Sequence, residues 1–180
     1  MGRYFGTDGF RGEANVSLTA DHAFKIGKFL GWYFGEKRRK EGEEGGPRVV
    51  IGKDTRRSSY MFEYALCAGL TSTGADAYIM HVTTTPSVSY IVRSEGCDCG
   101  IMISASHNPY YDNGIKLISG NGEKMDEDTI AAVEEYQDEI FRSTRQARKS
   151  IQELKEMRTA AIEDIEQQKR EERLEQLKRQ

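Results

Sequence analysis

Apolar residues recur at helical spacing through Ala23, Ile26, Gly27, Leu30, Tyr33 and Phe34, which predicts a first helix from about Ala20 to Arg39, just after Thr19. The polar, glycine-rich stretch EGEEGGP (41–47) ends that pattern, and the β-branched run RVVIG after it has the makeup of a buried strand. Met61, Phe62, Ala65, Leu66 and Leu70 mark a second helix. Ser58 and Ser59 can cap it, and it should end near Gly74, where a left-handed residue fits. DAYIMHV (76–82) reads as a strand. Thr85 as N-cap, with Pro86 at the first helical position, predicts a short third helix through Val88, Ile91 and Val92. GIMIS and GIKLIS read as two further strands. They are joined by about ten residues, too few for a crossover helix, so they should pair antiparallel. The alternation predicts an α/β fold, a three-layer α/β/α sandwich with a mixed sheet.

From Asp126 onward there is no glycine or proline, and after Phe141 about half the residues are charged, so this segment is helical or disordered. Ala147, Ile151, Leu154, Ala161 and Ile165 approximate a 3-4 spacing that Arg158 and Gln168 interrupt. The preferred reading is a charged, solvated C-terminal helix with weak self-association. The chain therefore divides into a domain over 1–135 and a helical tail over 136–180. Lys and Arg alternate with Glu through the tail, as in KREER (169–173), which gives no patch for nucleic acid.

The 180 residues, 37% hydrophobic and 31% charged, suffice for one ordinary core plus an appendage. A net charge of −3 sets up no basic field for nucleic acid or an anionic membrane. No apolar run approaches a membrane span, and MGRYFGTDGF lacks the apolar region of a secretory signal; a cytoplasmic chain is expected. Cys67, Cys97 and Cys99 have neither a disulfide framework nor a zinc spacing and should be free thiols. The interval from Gly46 to Gly52-Lys53 fails as a phosphate-binding P-loop, because it is itself the strand and Asp54 replaces the Ser or Thr.

Candidate chemistry gathers in three stretches. GIMISASHNPYYDNGIK (100–116) runs from a strand into Ser104, Ser106, His107, Asn108, Asp112, Asn113 and Lys116. Turn formation accounts for Asn108-Pro109 and Asp112-Asn113-Gly114, but not for Ser-x-Ser-His directly at a strand end, where open α/β sheets present ligand-binding loops. Glycines at 6, 9 and 12 allow close backbone approach, and Arg11 offers a planar fork for an oxyanion. A turn paired to a local carboxylate explains the same residues. In GKDTRRSS (52–59), Asp54 and Ser58 can cap the following helix, and capping is the favoured reading of Ser58. His22 and His81 read as structural. Ser104, two residues before Ser106, would share its side of an extended strand and so offers a second phosphorylation position.

In this order, YFGTDGFRG, IGKDTRRS and ISASHNPYYDNGIK resemble the N-terminal domain of the α-D-phosphohexomutase family, in its phosphoglucosamine branch, over about residues 3–135. The resemblance implies an isomerase, an intramolecular phosphotransferase that interconverts glucosamine 6-phosphate and glucosamine 1-phosphate. It implies Ser106 as the phosphoserine and Lys116 as the proton-transfer lysine. His107 would bond the phosphate or a hydroxyl, and Arg11 would lie near the phosphoserine. It also implies Mg²⁺, with one ligand from the phosphate on Ser106 and no other cofactor. The expected partner is a hexosamine phosphate, with no nucleic acid and no membrane. The family's further domains, with their aspartate-rich metal loop and sugar and distal phosphate loops, have no counterpart in these residues. Poor turnover by the chain alone is therefore expected, and the alternative is a non-catalytic scaffold whose tail mediates self-association or partner binding.

Overall fold

The computed structural model describes residues 4–6 and 9–178, so Thr7 and Asp8 of the glycine-rich motif lie outside the described residues. The same holds for the side chains of Ala161, Ile165, Gln168 and residues 169–173 of the tail. The elements are β1 (Phe5–Gly6), β2 (Gly9–Glu13), α1 (Ala20–Glu41), β3 (Arg48–Lys53), α2 (Arg57–Thr71), β4 (Asp76–Val82), α3 (Thr85–Ser94), β5 (Cys99–Ile103), β6 (Asp112–Ser119) and α4 (Glu127–Lys178). The chain forms two compact units, 1–137 and 138–180.

In the first unit, six strands form one sheet in the order β1-β2-β6-β5-β3-β4. β3 pairs parallel with β4 and β5, whereas β5-β6, β6-β2 and β2-β1 are antiparallel, which is the mixed sheet expected from the short link. Side-chain alternation splits the core. Val49 and Ile51 of β3 join Ile101, Ile115 and the buried stripes of α1 and α2 on one face, while Val50, Met102 and Ile118 meet Val88 and Val92 of α3 on the other. The first turns of α4 add Val133, and Met125 just before it, to the α1 side. The result is a three-layer α/β/α sandwich.

Gly27 of α1 and Gly69 of α2 let these helices touch backbone to backbone: a Cβ at Gly27 would run into the Leu66 carbonyl, and one at Gly69 into the Phe24 carbonyl. Beyond α2, Gly74 takes φ 84°, the left-handed position its sequence suggested. Two local expectations need correction. Thr84, not Thr85, caps α3 and accepts the Ser87 N–H, so Pro86 is the second residue of the helix. Asp112-Asn113-Gly114 is not a turn but the start of β6; Asn113 is buried there because its side chain finds polar partners in Ser58 and Ser59 of α2.

Thr19 caps α1 in a reciprocal box with His22: His22 N–H donates to Thr19 Oγ1, and His22 Nδ1 accepts the Thr19 N–H at 3.2 Å. Nδ1 can accept only while unprotonated. Burial lowers the His22 pKa from 6.5, against the pull of the Asp21 carboxylate and with a smaller push from Lys25. A base held neutral in the fold binds fewer protons than the unfolded chain. Its stabilisation is therefore fully present above pH 6.5 and is lost as pH falls through the lower folded value. The urea midpoint should fall as pH is taken from neutral into that window, and His22→Gln should flatten this component; an identical profile in the variant would contradict it.

In the second unit, as far as it is described, the chain continues as α4. Ile151, Leu154 and Met157 are exposed along it.

Candidate active site at the end of β5

The loop that joins β5 to β6 is tied down at nearly every residue. The Ser104 N–H donates to the Gly114 carbonyl at 2.8 Å, and the Ser104 hydroxyl accepts the Ser106 N–H at 3.1 Å. This contact bends the chain, so residues 104–106 are not an extended strand. Ser104 is only 8% exposed; its hydroxyl accepts the Ser106 N–H and lies in the lining of the same cleft as Ser106. Ser106 is exposed and takes φ 58°, a left-handed conformation that costs a non-glycine residue on the order of 1–3 kcal/mol unless its surroundings impose it.

Asn108 organises the next turn. Its N–H donates to the Ala105 carbonyl, its side-chain amide donates to Asp112 Oδ2 at 3.0 Å, and its Oδ1 accepts from Arg11 Nη1 at 3.4 Å. Arg11 reaches the loop because β2 lies beside β6: Arg11 pairs with Gly114, and its side chain passes where a Cβ at position 114 would stand. The glycine-rich start thus serves close approach as well, since a Cβ at Gly9 would collide with the Ile115 carbonyl.

Across the cleft, the residues between β3 and α2 form the facing wall. Asp54 Oδ1 accepts both the Arg56 N–H and the Ser59 hydroxyl, and Asp54 Oδ2 accepts Arg56 Nε at 2.9 Å. Arg56 then donates to the carbonyls of Ser106, Asn108 and Pro109 at 3.0, 3.0 and 2.7 Å. Sequence reasoning passed over Arg56; its signal was an arginine two residues from an aspartate at a strand end, opposite a loop rich in carbonyls. The capping role expected of Ser58 is not found. Arg56 is the N-cap of α2 and no side chain caps it, while Ser58 Oγ accepts from Asn113 Nδ2 at 2.9 Å. The start of α2 therefore lines the cleft, a cavity of about 870 Å³ shared by Arg57, Ser58, Ser106 and Tyr110. Uncapped helix N–H groups and Arg57 favour an anion there.

The structure does not bring all four predicted site residues together. Ser106 lines this cleft, Arg11 reaches its loop through Asn108, and His107 is exposed beside Ser106. Lys116 faces a separate cavity of about 520 Å³ with Thr85, Ser89 and Glu134, and the two cavities share no lining residue. Nor do the residues fit a metal on their own. Among the described residues no group of three His, Cys, Asp or Glu side chains could hold one, and the carboxylates nearest Ser106 in the loop network, Asp54 and Asp112, are bonded to Arg56, Ser59 and Asn108.

The family described as Phosphoglucomutase/phosphomannomutase, alpha/beta/alpha domain I, matches residues 2–143. The chain belongs to this family. Among curated phosphoglucosamine mutases, it is 69% identical to one from Lachnospira eligens over 150 residues, covering 81% of this chain and 32% of the relative. It is 64% identical to another from Lachnoclostridium phytofermentans over 138 residues, covering 77% and 29%. A crystal structure of a phosphoglucomutase/phosphomannomutase family protein from Burkholderia thailandensis superposes with a TM-score of 0.59 at 29% identity, covering 72% of this chain and 28% of that one. The chain thus spans about a third of the length of the curated relatives it matches. What it shares with the phosphoglucomutase/phosphomannomutase family is domain I, the sandwich described above and the loop at the end of β5.

Proposed function

We propose that this chain supplies the phosphoryl-carrying domain of a phosphoglucosamine mutase, an isomerase that interconverts glucosamine 6-phosphate and glucosamine 1-phosphate. The observation that carries the reading is Ser106, an exposed hydroxyl held left-handed at the end of a central strand and facing a cleft that favours anions. In the forward step the phosphoryl group moves from Ser106 Oγ to a sugar hydroxyl. The Oγ–P bond breaks, a P–O bond to the sugar forms, and the hydroxyl proton passes to a base. In the return step the other phosphoryl group of the bisphosphate moves back to Oγ and regenerates the carrier.

His107 is the proposed hydrogen-bond partner of the phosphate, and Arg11 supplies positive charge near it through its contact with Asn108. Lys116 is proposed as the proton-transfer group on the strength of the NGIK match, with the sugar extending from the Ser106 cleft to the Lys116 cavity. Mg²⁺ is proposed to draw on the Ser106 phosphate and on carboxylates beyond this chain, since Asp54 and Asp112 are already engaged. The chain alone should therefore complete the two-step cycle poorly, whereas a single slow transfer that loads Ser106 asks only for the bisphosphate and Mg²⁺. A cytoplasmic location suits phosphorylated sugars, and no described helix is long and apolar enough to cross a membrane.

The test is loading. The purified chain, incubated with glucosamine 1,6-bisphosphate and Mg²⁺, should gain a single phosphoryl group that peptide mapping assigns to Ser106. A phosphoryl group on another residue, or none where a full-length relative is loaded, would overturn the reading.

A second reading, a scaffold that self-associates through α4, is favoured by Ile151, Leu154 and Met157, which are 53%, 63% and 69% exposed at helical spacing. It expects solution mass to rise with concentration and the rise to vanish on deleting residues 142–180. A monomer at every concentration would end it.

A further inference from the structure

We propose that Arg56, anchored by Asp54, is the positioning residue that imposes the left-handed conformation of Ser106 and so aims its hydroxyl into the cleft. The inference rests on the reading of Ser106 as the phosphoryl carrier for its consequence, but on hydrogen-bond geometry for its substance.

A serine at φ 58° persists only where its neighbours over-determine the backbone. Both peptide groups that flank Ser106 are held. On the N-terminal side, its N–H is taken by Ser104 Oγ at 3.1 Å; on the C-terminal side, its carbonyl is taken by Arg56 Nη2 at 3.0 Å. The same guanidinium holds the carbonyls of Asn108 and Pro109, so it fixes the loop at three points that lie on one rigid plane.

Asp54 makes this possible. Its carboxylate takes Nε and the Arg56 N–H and is itself held by the Ser59 hydroxyl, which leaves the guanidinium one orientation. Three carbonyls and one carboxylate use four of the five N–H donors of an arginine. Lysine, a point charge on a flexible stem, keeps the charge but cannot reproduce the fork. The guanidinium is thus engaged chiefly on Asp54 and the loop carbonyls, at the margin of the cleft that Ser106 lines. Its assigned role is to act through the Ser106 backbone as a positioning residue.

The experiment compares Arg56→Lys and Arg56→Ala with the full wild-type chain by two readouts: amide hydrogen exchange of residues 104–110, and the rate of phosphoryl uptake from glucosamine 1,6-bisphosphate. Both variants should exchange the loop at least about tenfold faster, with the rest of the sheet unchanged, and load Ser106 slower by on the order of 10²-fold, the effect of misplacing a reacting group by about an ångström. Added guanidinium ion should restore both readouts in Arg56→Ala, and should not do so in Arg56→Lys, where the ammonium occupies its place. Unchanged loop exchange in both variants, or full loading by Arg56→Lys, would overturn the proposal. Should the wild type load no phosphoryl group, the carrier reading fails, and the exchange result alone then decides whether Arg56 braces the loop.

Discussion

Ser106→Ala is expected to abolish phosphoryl uptake and to leave the fold as stable as before. The side chain is exposed, so removing its hydroxyl opens no cavity, and surface substitutions of this kind change stability by no more than about 0.5 kcal/mol. Alanine keeps the Cβ and therefore the backbone strain. Ser106→Gly provides the complement: it too should take up no phosphoryl group, but it should stabilise the domain by about 1 kcal/mol by relieving a left-handed β-carbon. Intact-mass measurement after incubation with the bisphosphate, beside thermal denaturation, reads both effects. Uptake that survives in Ser106→Ala would move the carrier to another hydroxyl. A Ser106→Gly variant less stable than wild type by more than the roughly 1 kcal/mol of extra unfolded-state entropy that glycine brings would show that the φ 58° conformation stores no strain.

Glu63→Ala should destabilise the domain by about 3–5 kcal/mol, the cost of leaving a buried charge without its partner. Lys53, the last residue of β3, and Glu63 of α2 are both 0% exposed, with Lys53 Nζ 3.8 Å from Glu63 Oε2. The ammonium also sits over the Tyr60 ring, 2.8 Å from its centroid, and His81 Nδ1 approaches the same carboxylate oxygen at 3.2 Å. Neither Lys53 Nζ nor Glu63 Oε1 has a hydrogen-bond partner among the described residues. Removing Glu63 strands an ammonium between α2 and the sheet with only an aromatic face to meet it. Replacing both partners with apolar residues of similar size, Lys53→Met with Glu63→Leu, removes the charge as well as the pair, and should recover most of the loss. Urea unfolding with an unchanged m-value checks both. A loss under about 1 kcal/mol in Glu63→Ala would mean that the ammonium reaches solvent or another partner.

The helices and strands were legible in the sequence where burial dictates period. The stripe from Ala23 to Phe34 faces one core and carries its 3-4 period, and the continuous run RVVIG is buried on both faces of the sheet, whereas DAYIMHV was legible from its apolar, β-branched makeup and not from burial, since it lies part-exposed at the sheet edge. The errors fell where polar side chains choose between local and distant partners. Ser58 is suited to cap α2, yet its hydroxyl turns to Asn113, 55 residues away. Asn113 and Gly114 have turn chemistry, yet they lie in β6, because Asn113 finds two serine hydroxyls on α2 and Gly114 lets the Ser104 carbonyl and Arg11 come close. A residue's intrinsic preference is worth about 1 kcal/mol, and one buried hydrogen-bond network exceeds it.

The sequence by itself determined the sandwich, the antiparallel return after β5, the left-handed residue beyond α2 and the family to which the motifs belong, because each depends on local spacing or residue type. Only the tertiary structure decided that Arg56 grips the Ser106 carbonyl, that the Ser104 hydroxyl takes the Ser106 N–H, and that Lys116 opens into a different cavity from the serine. These depend on which strands are neighbours. The sheet order puts β5 between β3 and β6, so a loop after one central strand is gripped by an arginine at the end of another about 50 residues earlier. No periodicity encodes that adjacency; it arises when the non-local pairings close.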